Sequence, residues 1–291
     1  MDPIQQQSHP IGVEAAIKAA ADPSFTPRPQ IFDEFKLQDR VAVVTGGNGD
    51  LGLQMALALA EAGASVHCLD LPAEPSADFL SCVKYAQRLG SSIKYHQCNV
   101  TDQKKLWSLM ADIADSEGGR LDICIAAAGI LQTYNALEYP EAEFRKVIDV
   151  NVNGVFFTAQ AAAQQMARAG NGGSIILIAS MSGTITNRGH AWTAYNTSKA
   201  GVLQMARSLA CELGPQKIRV NSLSPGHIYT KMTAQLLDRQ PELREKWASS
   251  NPLGRLGSEH ELRGVATWLA SDASTFCTGS DIIVSGGHQS W

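Results

Sequence analysis

Short runs rich in apolar and β-branched residues alternate along the chain with longer stretches whose apolar positions recur three and four apart. The short runs, residues 41–44, 64–69, 93–98, 121–126, 174–179, 218–223 and 281–284, read as seven strands. The longer stretches, residues 51–62, 76–89, 102–116, 141–169, 191–213 and 259–270, read as helices, and 230–249 as a helical excursion. Thr101 suits an N-cap, while Gly90 and Gly214-Pro215 suit helix ends. This alternation predicts one α/β domain, a doubly wound seven-stranded parallel sheet with helices on both faces. Right-handed crossovers then place the carboxyl end of every strand on one rim. The glycine-rich turn after the first strand, Asp70, Asn99, Gly129, Ser180 and Pro225 all fall there.

Residues 1–39 do not share the alternation. Pro3, Pro10, Pro23, Pro27 and Pro29 punctuate them, and only 13–21 suggest a short helix. They read as a partly ordered arm, either draped over a neighbouring subunit or a disordered tail. The domain proper is expected over 40–291, with the excursion at about 230–249 as a substrate lid.

Composition narrows the function. Apolar residues make up 44% and charged residues 18%, which excludes global disorder. Lys and Arg number 24 against 28 Asp and Glu, a net charge of -4, which argues against nucleic-acid partners and polybasic membrane binding. No apolar run reaches the ~18–20 residues of a membrane span. Neither end carries a recognisable secretory, lipidation or retrieval signal. The six cysteines form no C-x-x-C pair and read as free thiols in a reducing, cytoplasmic setting. The seven histidines lack metal-ligand spacing, so no metal is expected.

Chemistry concentrates in two stretches. Thr45-Gly-Gly-Asn-Gly-Asp-Leu-Gly52 joins the first strand to the first helix of the alternation. Its glycines let backbone approach a phosphate, and the helix N-terminus offers N–H groups and partial positive charge. Asp70, 18 residues after Gly52, can accept hydrogen bonds from ribose hydroxyls and would repel a 2′-phosphate. Leu71 follows it and supplies no neutralising charge. NAD(H) is therefore expected, with NADP(H) the alternative. In the second stretch, Tyr195-Asn-Thr-Ser-Lys199, residues four apart share a helix face. A Lys199 ammonium near the phenol would lower its pKa and make Tyr195 a usable acid–base group.

Taken with Ala127-Ala128-Gly129, Asn151, Ser180 and Ser224-Pro225-Gly226, these motifs resemble the short-chain dehydrogenase/reductase family, over roughly residues 36–287. Within it, Ala179-Ser-Met-Ser-Gly183 and Tyr195–Lys199 look most like fungal mannitol, arabinitol, sorbose and xylulose enzymes. The resemblance implies a Rossmann-like fold and interconversion of a secondary alcohol and a ketone. The substrate would be a polyol, a ketose or a ketone of specialised metabolism. It implies a proton exchanged by Tyr195, an oxyanion stabilised by Ser180 (with Ser182 its rival), and a Lys199 that tunes Tyr195 and holds the nicotinamide ribose. Asn151 would support a water linking Lys199 to solvent. Cofactor contacts are implied for Gly46, Asn48, Asp50, Leu51, Asp70, Leu71, Asn99, Val100, Ala127, Ala128, Gly129, Pro225, Gly226, Ile228 and Thr230. Substrate contacts are expected from Ser182, Thr184, His190, Trp192, His227 and Met232, with Trp247 in the lid core. Helices 141–169 and 191–213 would pair across subunits in a homodimer or homotetramer.

Three positions depart from the family pattern. Asp50 stands where a glycine is expected, Ala127 replaces an Asn, and Asn99 an Asp. Asp50 could repel the pyrophosphate or simply favour the helix N-terminus. Asp50 and Ala127 also motivate two other readings: a cofactor-binding sensor without redox activity, and a member recruited to non-redox chemistry.

Overall fold

A parallel strand buried on both faces must place alternate side chains in two separate cores, and β1 (Val41–Thr45) does so. Val41 and Val43 join one apolar cluster, whereas Ala42 and Val44 join another across the sheet. The computed structural model describes residues 10–291, leaving aside the side chains of Met232, Gln235 and Leu236. Part of the arm and the Met232 side chain, expected at the substrate, therefore lie outside what is described.

In chain order, α1 (Gly12–Ala21) buries none of its residues. Leu37, further along the arm, is buried and its N–H bonds the Ala62 carbonyl at 2.8 Å. After β1 come α2 (Asp50–Glu61), β2 (Ser65–Asp70), α3 (Ala77–Arg88), β3 (Ser92–Gln97), α4 (Gln103–Ser116) and β4 (Ile123–Ala126). Then follow α5 (Glu141–Ile148), α6 (Val155–Ala169), β5 (Gly173–Ile178), α7 (Thr193–Leu213) and β6 (Ile218–Pro225). The two-residue strands β7 (Ile228–Tyr229) and β8 (Gly257–Ser258) pair with each other around α8 (Lys231–Leu237) and α9 (Pro241–Ser249). Finally α10 (Arg263–Ala270) leads to β9 (Asp281–Val284).

The large sheet has seven strands in the order β3-β2-β1-β4-β5-β6-β9, with every pairing parallel. This is the doubly wound, Rossmann-like architecture expected from the alternation. One core packs α4, α6 and α7 against the sheet, and the other packs α2, α3 and α10. The order reverses at β1 and β4, which opens a crevice above their carboxyl ends. Among the described residues no helix is long and apolar enough to cross a membrane.

One expected helix is not continuous. Residues 141–169 form α5, a π-helical turn over Asp149–Gly154, and α6. The extra residue per turn accommodates a stretch of poor helix formers, Asn151, Asn153 and Gly154, and π-helical turns gather at functional sites. Gly154 is required by close packing, since a Cβ there would lie 2.7 Å from Val100 Cγ2.

Candidate active site

The glycine turn is as tight as its sequence demands. A Cβ on Gly52 would lie 2.1 Å from the Gly46 carbonyl oxygen, so only glycine lets α2 begin there. Asp50 opens α2 with a φ of +35°, a left-handed value that explains why a glycine suits this position. Asp70 is tied into the same turn. Its Oδ2 accepts from the Asn48 N–H at 3.0 Å and its Oδ1 from the Leu71 N–H at 2.8 Å. Asn48 in turn accepts from the Ser76 N–H at 2.7 Å, fixing the turn to the start of α3.

Ala127 has no polar side chain with which to brace β4. The segment after it is held by Thr45 Oγ1, which accepts from Ala128 N–H at 3.4 Å, and by Asn151. Asn151 is fully buried; its Oδ1 accepts from Ile130 N–H at 2.8 Å and its Nδ2 donates to Ile130 O at 2.9 Å. The same Nδ2 donates to Ser198 Oγ at 3.0 Å. Asn99 spends its Oδ1 on the N–H and hydroxyl of Thr101, at 3.1 and 2.9 Å.

Ser180 ends β5 and caps the short turn that follows, its Oγ accepting from Ser182 N–H at 3.2 Å. Its hydroxyl also faces the Tyr195 phenol and favours the phenolate. Lys199, one turn along α7, is buried; its ammonium donates to Ile178 O at 2.8 Å and sits 5.6 Å from the centre of the Tyr195 ring. Burial pushes the Lys199 ammonium down to about 8. Burial likewise pushes the Tyr195 phenol above its ordinary value, partly offset by the Ser180 hydroxyl. The Tyr195–Lys199 spacing predicts a phenol lowered by Lys199; in this structure desolvation raises it, and the lowering contribution comes from Ser180.

A cavity of about 620 Å³ runs from the glycine turn to Tyr195. Gly46, Asp50, Leu51, Asp70, Leu71, Asn99, Val100, Ala127, Ala128, Gly129, Pro225, Gly226, Ile228 and Thr230 line it, as do Ser180, Tyr195 and Lys199. Of the substrate candidates, Ser182, Trp192 and His227 line it as well. Asn48 and Asn151 stand behind the wall and hold it through backbone groups. Thr184 is exposed and off the cavity, while His190 is separated from it by Trp192, on which it stacks. Gly49, Ile130, Val150 and Trp247 line the cavity without having been foreseen as contacts. Gly49 lies inside the foreseen turn. Trp247 is both lid core and cavity wall, which no local pattern distinguishes.

The residues fit a nicotinamide dinucleotide. Gly49, the N-cap of the twelve-residue α2, bears no capping side chain, and a Cβ there would meet no atom within 4 Å. That leaves the backbone N–H groups of the helix end open to a pyrophosphate, with the Asp50 carboxylate beside them.

A family profile described as Enoyl-(Acyl carrier protein) reductase matches residues 48–289. A protein of Aspergillus versicolor named Short chain dehydrogenases/reductase notP' is 39% identical over 275 residues, 93% of this chain and 92% of that one. The chain belongs to the short-chain dehydrogenase/reductase family. Sorbose reductase sou1 of Schizosaccharomyces pombe is 38% identical over 257 residues, 88% of this chain and 98% of that one. The likeness to fungal polyol and ketose enzymes is thus borne out. A crystal structure of a gluconate 5-dehydrogenase from Burkholderia cenocepacia, in complex with NADP and tartrate, superimposes with a TM-score of 0.81 at 28% identity. It covers 89% of this chain and 98% of its own. Members of this family are dehydrogenases and reductases that use a nicotinamide cofactor, and this chain is an oxidoreductase of that kind.

Proposed function

We propose that the protein interconverts a secondary alcohol and a ketone with NAD(H), Tyr195 carrying the proton. The observation that supports this best is the convergence of Ser180, Tyr195 and Lys199 on one end of the cavity whose other end is the glycine turn. The bound nicotinamide supplies or takes the hydride. Tyr195 donates the phenolic proton to the substrate oxygen during reduction and recovers it during oxidation. Ser180 already has its Oγ filled by the Ser182 N–H, which leaves the hydroxyl proton to donate to Tyr195 or to a developing oxyanion. Lys199 places positive charge beneath the Tyr195 ring and favours the phenolate.

NAD(H) is favoured because Asp70 is oriented by two backbone N–H groups and retains lone pairs for ribose hydroxyls. The NADP-bound relative supports NADP(H) as the second reading. Asn151 acts here through the Ile130 peptide and Ser198; a water relay toward Lys199 belongs to the same proposal. The domain over 40–291, the cytoplasmic setting and the homodimer or homotetramer belong to it too.

Tyr195→Phe tests the mechanism. Turnover followed at the reduced-nicotinamide band is expected to disappear while NADH binding stays within about threefold of wild type. Retained turnover would sink the mechanism. Tighter binding of NADPH than of NADH would overturn the cofactor preference.

A further inference from the structure

We infer that the substrate carries its carbonyl or alcohol on a flat, apolar ring system, selected by Trp192 and Trp247. This rests on the redox reading above and deepens it at the same cavity.

The wall beyond Tyr195 is built of rings. Trp192 and Trp247 meet edge to face at 6.3 Å, and Trp192 meets Tyr195 in the same way at 6.4 Å. His190 stacks on Trp192 at 4.1 Å and His227 on Trp247 at 4.3 Å. Both tryptophans are buried and both line the cavity.

The indole N–H groups of this wall are already engaged. Trp192 Nε1 donates to Thr133 Oγ1 at 3.1 Å, and Trp247 Nε1 donates to His190 Nε2 at 3.1 Å. The indoles therefore offer a ligand carbon surface alone. Ser182 Oγ accepts from Asn187 Nδ2 at 2.7 Å, which leaves its hydroxyl proton as a single donor. Burial, with His288 and His190 nearby, holds His227 at about 3, so its ring is neutral in ordinary buffers and offers no charge.

An open-chain ketose brings a hydroxyl on nearly every carbon, and each must exchange water for a protein partner. This wall offers them the Ser182 hydroxyl and the neutral His227 ring. A sugar ring stacked on tryptophan needs an open indole face and polar side chains at its rim. Here one face of each indole is covered by an imidazole. A flat apolar ring needs only contact area and edge or face packing, which the wall supplies. The substrate therefore differs in class from sorbose, although the sorbose reductase is 38% identical to this chain.

The test uses 1-indanone and 2-tetralone against L-sorbose and D-ribulose, with wild-type protein and NADH. The expected kcat/KM for 2-tetralone exceeds that for L-sorbose by at least about 100-fold, as the several hydroxyls of sorbose each lose water on entering. Trp247→Ala should shrink the gap to about tenfold or less; Trp247→Leu serves if the alanine variant does not fold. Equal or faster ketose turnover overturns the inference and leaves the redox reading intact. If no carbonyl is reduced, the redox reading fails, and binding to the Tyr195→Phe protein loaded with NADH decides. There, 2-tetralone binding about 100-fold more tightly than L-sorbose upholds the inference, and equal affinity overturns it.

Discussion

Asn151 binds both backbone polar groups of a single residue, accepting from Ile130 N–H at 2.8 Å and donating to Ile130 O at 2.9 Å. The π-helical turn presents the buried amide to the segment that follows β4, and Gly129 lies against it. A Cβ on Gly129 would sit 3.4 Å from Asn151 Oδ1 and 3.6 Å from Lys199 Nζ. The side chain thus ties the segment after β4 to α7 through Ser198. Asn151→Ala leaves Ile130 and Ser198 without these partners. It is expected to cost about 2–4 kcal/mol, read from urea unfolding, and to lower kcat by at least tenfold. Wild-type stability in this variant would mean that water replaces the amide at no cost.

Lys199 is kept at the expense of stability. Its folded pKa of about 8 lies below its ordinary 10.5. Between these values the unfolded chain holds the proton and the folded chain does not, so stability rises with pH across that window. Below pH 8 both states are protonated and the full penalty persists, on the order of 3 kcal/mol. Lys199→Met removes it but also leaves Ile178 O without its donor. The variant is expected to gain about 1–2 kcal/mol at pH 7 and less at pH 10, while turnover falls at least about 100-fold. Thermal unfolding at the two pH values checks the difference.

The two directions of the reaction should respond oppositely to pH. Burial holds the Tyr195 phenol above its ordinary range, so the free protein keeps its proton through neutrality. Reduction needs that proton, and kcat/KM for a ketone should stay level through neutral pH. It should then fall above about 8, as Lys199 loses its charge. Oxidation needs the phenolate and should climb only at higher pH, as the raised Tyr195 phenol itself titrates. Profiles of kcat/KM report the free protein and are the measurement to make. Parallel profiles in both directions would count against Tyr195 as the proton carrier.

Asp50 occupies a left-handed position at the rim of the cavity. Asp50→Gly should relieve about 1 kcal/mol of backbone strain, less the entropy a glycine loses on folding. If its carboxylate opposes the pyrophosphate, NADH should bind several-fold tighter to the glycine variant, most clearly at low salt. Titration by NADH fluorescence measures this. Unchanged affinity would show that the carboxylate serves α2 alone.

The sequence by itself determined the architecture and one end of the site. Buried parallel strands need continuous apolar runs, and a tight turn against a phosphate needs glycine, so both leave local signatures. Thr45–Gly52, Asp70, Ser180 and the Tyr195–Lys199 spacing could be read without coordinates for that reason. Asn151 and Gly154 were visible as poor helix formers, but not the π-helical turn they occupy, because its register depends on packing against Val100 and Ile130. Tertiary structure alone decided whether charge or burial governs the Tyr195 phenol, since desolvation is set by everything around the ring. It alone put Trp247, more than fifty residues past Trp192, into the same wall. Stacked rings and spent indole N–H groups arise from contacts between distant segments, and no periodicity within either segment encodes them.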